Sequence, residues 1–247
     1  MTEPNPRSRL MGAIFDVDGV LVASPHERAW REALAGYADP ARFTTEFYQA
    51  HVAGKPRLDG ARATLEGLGV PDAAARTPEY ARKKQALIDR LIAEGGFEAF
   101  PDAVCFANAL HIAGLRLALA SSSRNAAAMM RRLGLPDGRA LLSIFDADLS
   151  GTEVPRGKPD PALFLLAAKA LDVPPAQCVV LEDAPAGIAA ARAGGMASVG
   201  IARLGDEALL QAAHADLVVT SLDQVDTAAV PGGVLRTRPE TETPAYA

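Results

Sequence analysis

Hydrophobic positions follow two rhythms in this chain, and each rhythm has its own territory. Residues 13–15 form a short apolar run that stops at two aspartates and a glycine, the mark of a buried strand closed by a turn. Between residues 26 and 96 the apolar positions fall only at helical spacing. Trp30 and Leu34 share one face of a helix over 26–35, and Phe43, Phe47 and Tyr48 mark another over 42–52. Leu58, Ala61, Leu65 and Leu68 line a third over 58–68. Ala81, Leu87, Ile88 and Leu91 line a fourth over 78–93, with Pro78 in its first turn and Gly95-Gly96 as its stop.

From residue 100 onward the texture changes. Apolar runs at 115–120, near 143–145, 178–181, 197–201 and 217–219 read as strands. Helical patterns at 102–112, 125–133, 161–171, 185–193 and 206–213, then a final short helix, lie between or after them. Strands alternating with helices predict a doubly wound, mainly parallel sheet covered on both faces. The first strand belongs to that sheet, so the α/β domain spans 10–25 and 98–228, and 26–97 is an all-helical insert. The crossings near Ser24 and at 97–101 are expected to act as hinges for a lid that excludes water. Residues 1–9 and 231–247 are polar, contain proline and lack periodicity, and are expected to be flexible tails.

Composition narrows the class. With 247 residues and a 49% hydrophobic share, the chain can bury a sizeable core. A net charge of -5 with no basic block argues against a nucleic-acid partner. No apolar run is long enough to span a bilayer, and the first nine residues lack the apolar stretch of a signal peptide. Cys105 and Cys178 lie in apolar stretches without metal-ligand spacing and read as buried thiols of a reducing compartment. The expectation is a soluble, cytoplasmic monomer.

The chemistry gathers at strand ends. Asp16 and Asp18, one residue apart, point to one face where the chain leaves the sheet, and open α/β sheets bind ligands there. Carboxylates so close repel unless a cation or a shared proton intervenes, although a polar turn would carry the same residues. Ser121-Ser122-Ser123-Arg124-Asn125 follows another strand and leads into a helix, as an oxyanion site or as plain capping. Lys158 sits in a proline-bound turn, and Glu182-Asp183 closes a further strand. Together these suit phosphoryl transfer through an aspartyl phosphate. Asp16 attacks phosphorus, and Asp18 gives a proton to the leaving oxygen and takes one from the next acceptor. Lys158 and Ser121 neutralise the transferring oxygens. Mg²⁺ is the expected cofactor, on Asp16, the backbone carbonyl of Asp18 and the Glu182-Asp183 pair, chiefly Asp183.

Asp16-Val17-Asp18-Gly19-Val20, Ser121, Lys158-Pro159 and Glu182-Asp183 resemble, in order and spacing, the four motifs of the haloacid dehalogenase superfamily. The resemblance covers residues 10 to about 225, and the helical insert is similar to that superfamily's first-position (C1) cap. Within it, the β-phosphoglucomutase branch is the nearest in pattern. That resemblance implies that His26 bonds Asp18 in a closed state, beside Trp30. It implies that Arg57 grips the substrate's non-reacting phosphate, that Lys84 is a cap lysine facing substrate, and that Ser122, Ser123, Arg124 and Asn125 belong to the phosphate loop. The branch usually has an acidic residue where Ala23 stands, and a serine in place of Ala184. Two reactions fit the core motifs equally: a mutase interconverting sugar 1-phosphate and 6-phosphate, and a phosphatase acting on a small phosphorylated sugar or metabolite. A binding protein that kept the fold without turnover is a third reading, disfavoured by the intact set of Asp16, Asp18, Lys158 and Asp183.

Overall fold

The computed structural model describes residues 9–239. Strand β1 (Gly12–Phe15) leads through a tight turn to β2 (Val22–Ala23) and then into helices α1 (His26–Ala33), α2 (Thr45–His51), α3 (Arg57–Gly67) and α4 (Ala73–Ala93). The chain returns through β3 (Glu98–Ala99) and continues with α5 (Pro101–Ile112), β4 (Arg116–Leu119), α6 (Ala126–Met130) and β5 (Ala147–Asp148). It then forms α7 (Ala162–Ala170), β6 (Cys178–Glu182), α8 (Pro185–Ala193), β7 (Ala197–Ile201), α9 (Glu207–Ala212) and β8 (Leu217–Val219).

Among the described residues six strands form one sheet in the order β5-β4-β1-β6-β7-β8, and each neighbouring pair runs parallel. Side chains alternate along each strand, so the sheet feeds two separate cores. Ala13, Phe15, Leu117, Leu119, Val179 and Leu181 pack against α5 and α6 on one face. Ile14, Ala118 and Val180 pack against α7 and α8 on the other. The fold is therefore a doubly wound, Rossmann-like sheet carrying an inserted helical cap. The cap has its own core, with Trp30, Leu34, Phe43, Leu65 and Tyr80 at its centre.

Register brings the chemistry together. Phe15 pairs with Leu119 on β4 and with Leu181 on β6, so the three chains leave the sheet side by side. Between the two domains, β2 and β3 pair antiparallel, Val22 with Ala99 and Ala23 with Glu98. Arg203, just past β7, fastens this region. Its guanidinium grips Asp102 through two 3.0 Å bonds, donates to the carbonyls of Gly19 at 3.2 Å and Val20 at 3.3 Å, and stacks over Phe100 at 3.8 Å. Asp102 also accepts from the Ser221 hydroxyl and the Leu222 amide, both at 2.8 Å.

Several expectations need correction. No strand forms at 143–145; Leu141–Ile144 is a 3-10 turn, because Leu141 and Ile144 share its buried side, and the strand comes at Ala147–Asp148. Helix α4 begins a turn and more before Pro78, which lies inside it. The Thr77 hydroxyl bonds Ala73 in that turn, and the buried stripe already includes Thr77. The helix expected over 125–133 is only the short α6, and the last short helix is a 3-10 turn at Leu222–Gln224. Over 231–239 the expected tail folds back. Thr237 bridges Val225, Arg236 pairs with Asp226, and Leu10 donates to Pro231. Residues 1–8 and 240–247 lie outside the described residues. Cys178 is buried as expected, whereas Cys105 is only partly so. Among the described residues no helix is long and apolar enough to cross a membrane.

Candidate active site

Asp16 follows β1 directly and stays tied to the sheet, its amide donating to Leu181 O at 3.0 Å. Two residues on, the chain turns sharply at Gly19, whose φ of 84° lies in the left-handed region. A Cβ there would stand 1.9 Å from Asp183 Oδ2, so glycine alone lets this turn lie against the end of β6. Lys158, before a cis bond to Pro159, brings its Nζ to 2.6 Å from Asp16 Oδ1 and 2.5 Å from Glu182 Oε1. Ser121, after β4, points its hydroxyl at Asp18 Oδ2 from 3.4 Å and accepts from the Ser123 amide.

The charges here are set by burial and by each other. Burial raises the Asp16 carboxyl to about 7; Lys158 pulls it down, while Glu182 and Asp18 push it up. Burial works against the charge on Lys158, but the two carboxylates overcome it and hold the amine above its usual range. Burial also lifts Asp183 well above the carboxylate range; Glu182 and Asp16 add to the rise, and Lys158 offsets part of it.

Glu182, expected among metal ligands, has a different placement. Both its oxygens are engaged, Oε1 by Lys158 and Oε2 by the Ala184 amide at 2.8 Å, and it is fully buried. It holds the lysine instead. Of the expected metal donors, Asp16, Asp183 and the Asp18 carbonyl remain as candidates. Among the described residues no group of three or more His, Cys, Asp or Glu side chains is arranged around a metal position. Two hard carboxylates, raised in pKa by crowding and burial, suit Mg²⁺, which keeps waters and takes few protein ligands.

The cap closes over this cluster. His26 Nε2 lies 3.4 Å from Asp18 Oδ1 and 3.1 Å from the Ser123 hydroxyl, while its Nδ1 is 2.6 Å from Lys84 Nζ. When Lys84 is protonated it can only donate, and Nδ1 then accepts. Burial lowers His26 to about 4, Lys84 adding to the fall and Asp18 opposing it. Trp30 packs on Tyr80 and lies beneath Lys84, 4.8 Å from its ring centre. The cap touches the core where Ser122 donates to Gly54 O at 3.3 Å and where Pro56 rests on Gly157.

A cavity of about 820 Å³ lies between cap and core, lined by Asp16, Asp18, His26, Arg57, Lys84 and Asp183 among others. The cavity lining contains every site residue named from sequence except Glu182, which lies behind Lys158; Arg124 stands at its exposed rim, paired with Glu153. Sequence reasoning missed Tyr48, Gln85 and the 151–157 loop, which also line the cavity. Tyr48 stood in the sequence as one aromatic of an apolar face. Gln85 had only its place beside Lys84 to mark it.

A doubly wound sheet with carboxylates at adjacent strand ends, a buried lysine between them and a helical lid above defines a capped, Rossmann-like enzyme. A sequence profile of the haloacid dehalogenase-like hydrolases matches residues 10–195, and the chain belongs to that family. A protein of Mycobacterium bovis named beta-phosphoglucomutase is 34% identical to it, over 90% of this chain and 96% of that one. Hexitol phosphatase A of Escherichia coli is 32% identical, over 91% of this chain and 97% of its own length. Among solved structures, beta-phosphoglucomutase of Clostridium difficile superimposes with a TM-score of 0.71 at 29% identity, covering 87% of this chain and 92% of that one.

Proposed function

We propose that this enzyme is a mutase that interconverts the 1- and 6-phosphates of a sugar through a phosphorylated Asp16. In the first half-reaction a carboxylate oxygen of Asp16 attacks phosphorus, the bond from phosphorus to the sugar oxygen breaks, and Asp18 supplies that oxygen's proton. In the second, a hydroxyl of the sugar monophosphate gives its proton to Asp18 and attacks the aspartyl phosphate, which restores Asp16 and forms the bisphosphate that turns over within the site. Lys158 and Ser121 neutralise and hold the transferring oxygens. Mg²⁺, when bound by Asp16, Asp183 and the Asp18 carbonyl, supplies charge neutralisation at the phosphoryl group.

The observation that carries this reading is the seat of His26, 3.4 Å from Asp18 in a closed cap whose cavity also contains Arg57. A histidine that reaches Asp18 only when the lid is shut delays the proton shuttle until water is excluded, and Arg57 gives a bisphosphate intermediate a second anchor. A second reading, a sugar-phosphate phosphatase, draws support from the similarity to hexitol phosphatase A. In that reading water takes the place of the sugar hydroxyl.

Phosphorus NMR separates them. The protein is incubated with Mg²⁺, β-glucose 1-phosphate and a trace of the 1,6-bisphosphate. Glucose 6-phosphate without inorganic phosphate is the expected outcome; inorganic phosphate as the main product would sink the mutase reading.

A further inference from the structure

Gln85 lies on α4 one residue after Lys84, half-buried at the cavity wall, and it joins three side chains from separate parts of the chain. Its Oε1 accepts from Arg57 Nη1 at 2.7 Å. Its Nε2 donates to Asp89 Oδ1 at 2.6 Å and to Asn125 Oδ1 at 3.1 Å. The chemistry of the partners fixes the orientation of this amide. An ionised carboxylate only accepts, so Asp89 must face the NH₂ group, and the carbonyl oxygen is left for the guanidinium, which only donates. The second N–H then meets Asn125 through its oxygen, which leaves the Asn125 NH₂ group for another acceptor.

Arg57 and Asn125 both line the cavity, the first from the cap and the second from the core loop after β4. We infer that Gln85 is a positioning residue that sets Arg57 and Asn125 as a paired donor site for the substrate's non-reacting phosphate, and that this site is complete only with the cap closed. Arg57 spends one N–H on Gln85 and keeps the others, a planar fork suited to phosphate. Asn125 adds a neutral donor from across the domain boundary. The amide thus links occupancy of the distal anion site to closure of the lid. Asp89 acts one step further back, as the group that keeps Gln85 from turning over. The inference rests on the reading of Arg57 as the anchor of the second phosphate.

The test compares two substrates across Gln85→Leu, Gln85→Glu and Arg57→Ala, each checked for an unchanged thermal midpoint. Gln85→Leu removes both functions of the amide. Gln85→Glu keeps an acceptor for Arg57 but loses the donor to Asn125 and sets a second carboxylate beside Asp89. For β-glucose 1,6-bisphosphate the expected result is a KM raised about ten- to a hundredfold in both Gln85 variants, the scale of one hydrogen bond to a charged group. For p-nitrophenyl phosphate, which has no second phosphate, any loss in kcat/KM is expected to be at least about fivefold smaller than the change with the bisphosphate, because the contacts to that phosphate are absent from both states. An equal loss on both substrates means that Gln85 merely supports the cap, and overturns the inference. If Arg57→Ala raises the bisphosphate KM and neither Gln85 variant does, the positioning role falls while the second-phosphate anchor stands. If none of the three changes it, both fall together.

Discussion

The Glu182 carboxylate lies 2.5 Å from the Lys158 ammonium, and the same ammonium lies 2.6 Å from Asp16. All three groups are buried, so Lys158 is one cation divided between two anions. Glu182→Gln removes one of them and leaves the lysine to Asp16 alone. Breaking a buried pair costs about 3–5 kcal/mol, since a charge is left without compensation, though Asp16 retains part of it. We expect a lower urea midpoint together with a fall in kcat, because an amine bound by Asp16 alone competes for the oxygen proposed to attack. A variant with parental turnover would mean that Glu182 does not govern how Lys158 is shared.

Asp16→Asn keeps the shape of the proposed nucleophile and removes its charge. Activity should fall by about six orders of magnitude, the scale found when a covalent nucleophile is lost. Acid quenching during turnover, followed by intact mass measurement, should find the added phosphoryl group on the parent and none on the variant.

Gly157 is the floor on which the cap rests. A Cβ at this position would stand 2.0 Å from Pro56 Cγ and 2.5 Å from its Cδ. A proline ring cannot swing aside, so Gly157→Ala should prop the cap open while both cores stay folded. Misplacement of catalytic groups by about 1 Å costs roughly a hundredfold, and kcat should fall by about that much. Trp30 is the one tryptophan of the chain, so its emission reports the change directly.

Lys84 gives a pH signature. Burial depresses it to about 7; Asp18 and Asp89 pull upward and Arg57 adds to the fall. An unfolded lysine titrates near ~10.4, so between these values the unfolded chain binds more protons than the folded one. The contribution of Lys84 to stability is therefore fully present above the unfolded value and is lost as pH falls toward 7. Lys84→Met abolishes this dependence. Urea midpoints at pH 7, 8 and 9 should show the parent gaining on the variant as pH rises, by at most about 1.4 kcal/mol per pH unit. Parallel curves would show that Lys84 stays charged in the fold.

The hydrophobic pattern alone places the strands of the sheet interior well, and it brings Asp16, Ser121 and Asp183 together because parallel register leaves neighbouring strands at one edge. It fails where local rules compete. Leu141 and Ile144 are spaced for a tight turn as much as for a strand, and Pro78 is tolerated inside α4 because the buried stripe extends past it. Other features are tertiary and leave no local trace. Arg203 and Asp102 are 101 positions apart, and nothing near either one announces the pair. Glu182 reads as a metal ligand beside Asp183 until the lysine that occupies it is seen. Gln85 and Tyr48 become part of the site only when the cap lies against the core.

The pairing of β2 with β3 has a topological consequence. Val22 faces Ala99 across an antiparallel ladder, so the chain leaves the core and returns to it at the same point. Opposed residues in such a ladder have Cα atoms only about 4.5–5.5 Å apart, a gap that a tight hairpin turn closes. The helical domain is thus a cassette spliced into an already complete scaffold. Its removal and replacement by a short turn would shorten a long loop closure during folding, a change whose entropic effect grows only slowly with length. The sheet, its carboxylates and Lys158 could then be compared with and without the lid in a single folded core.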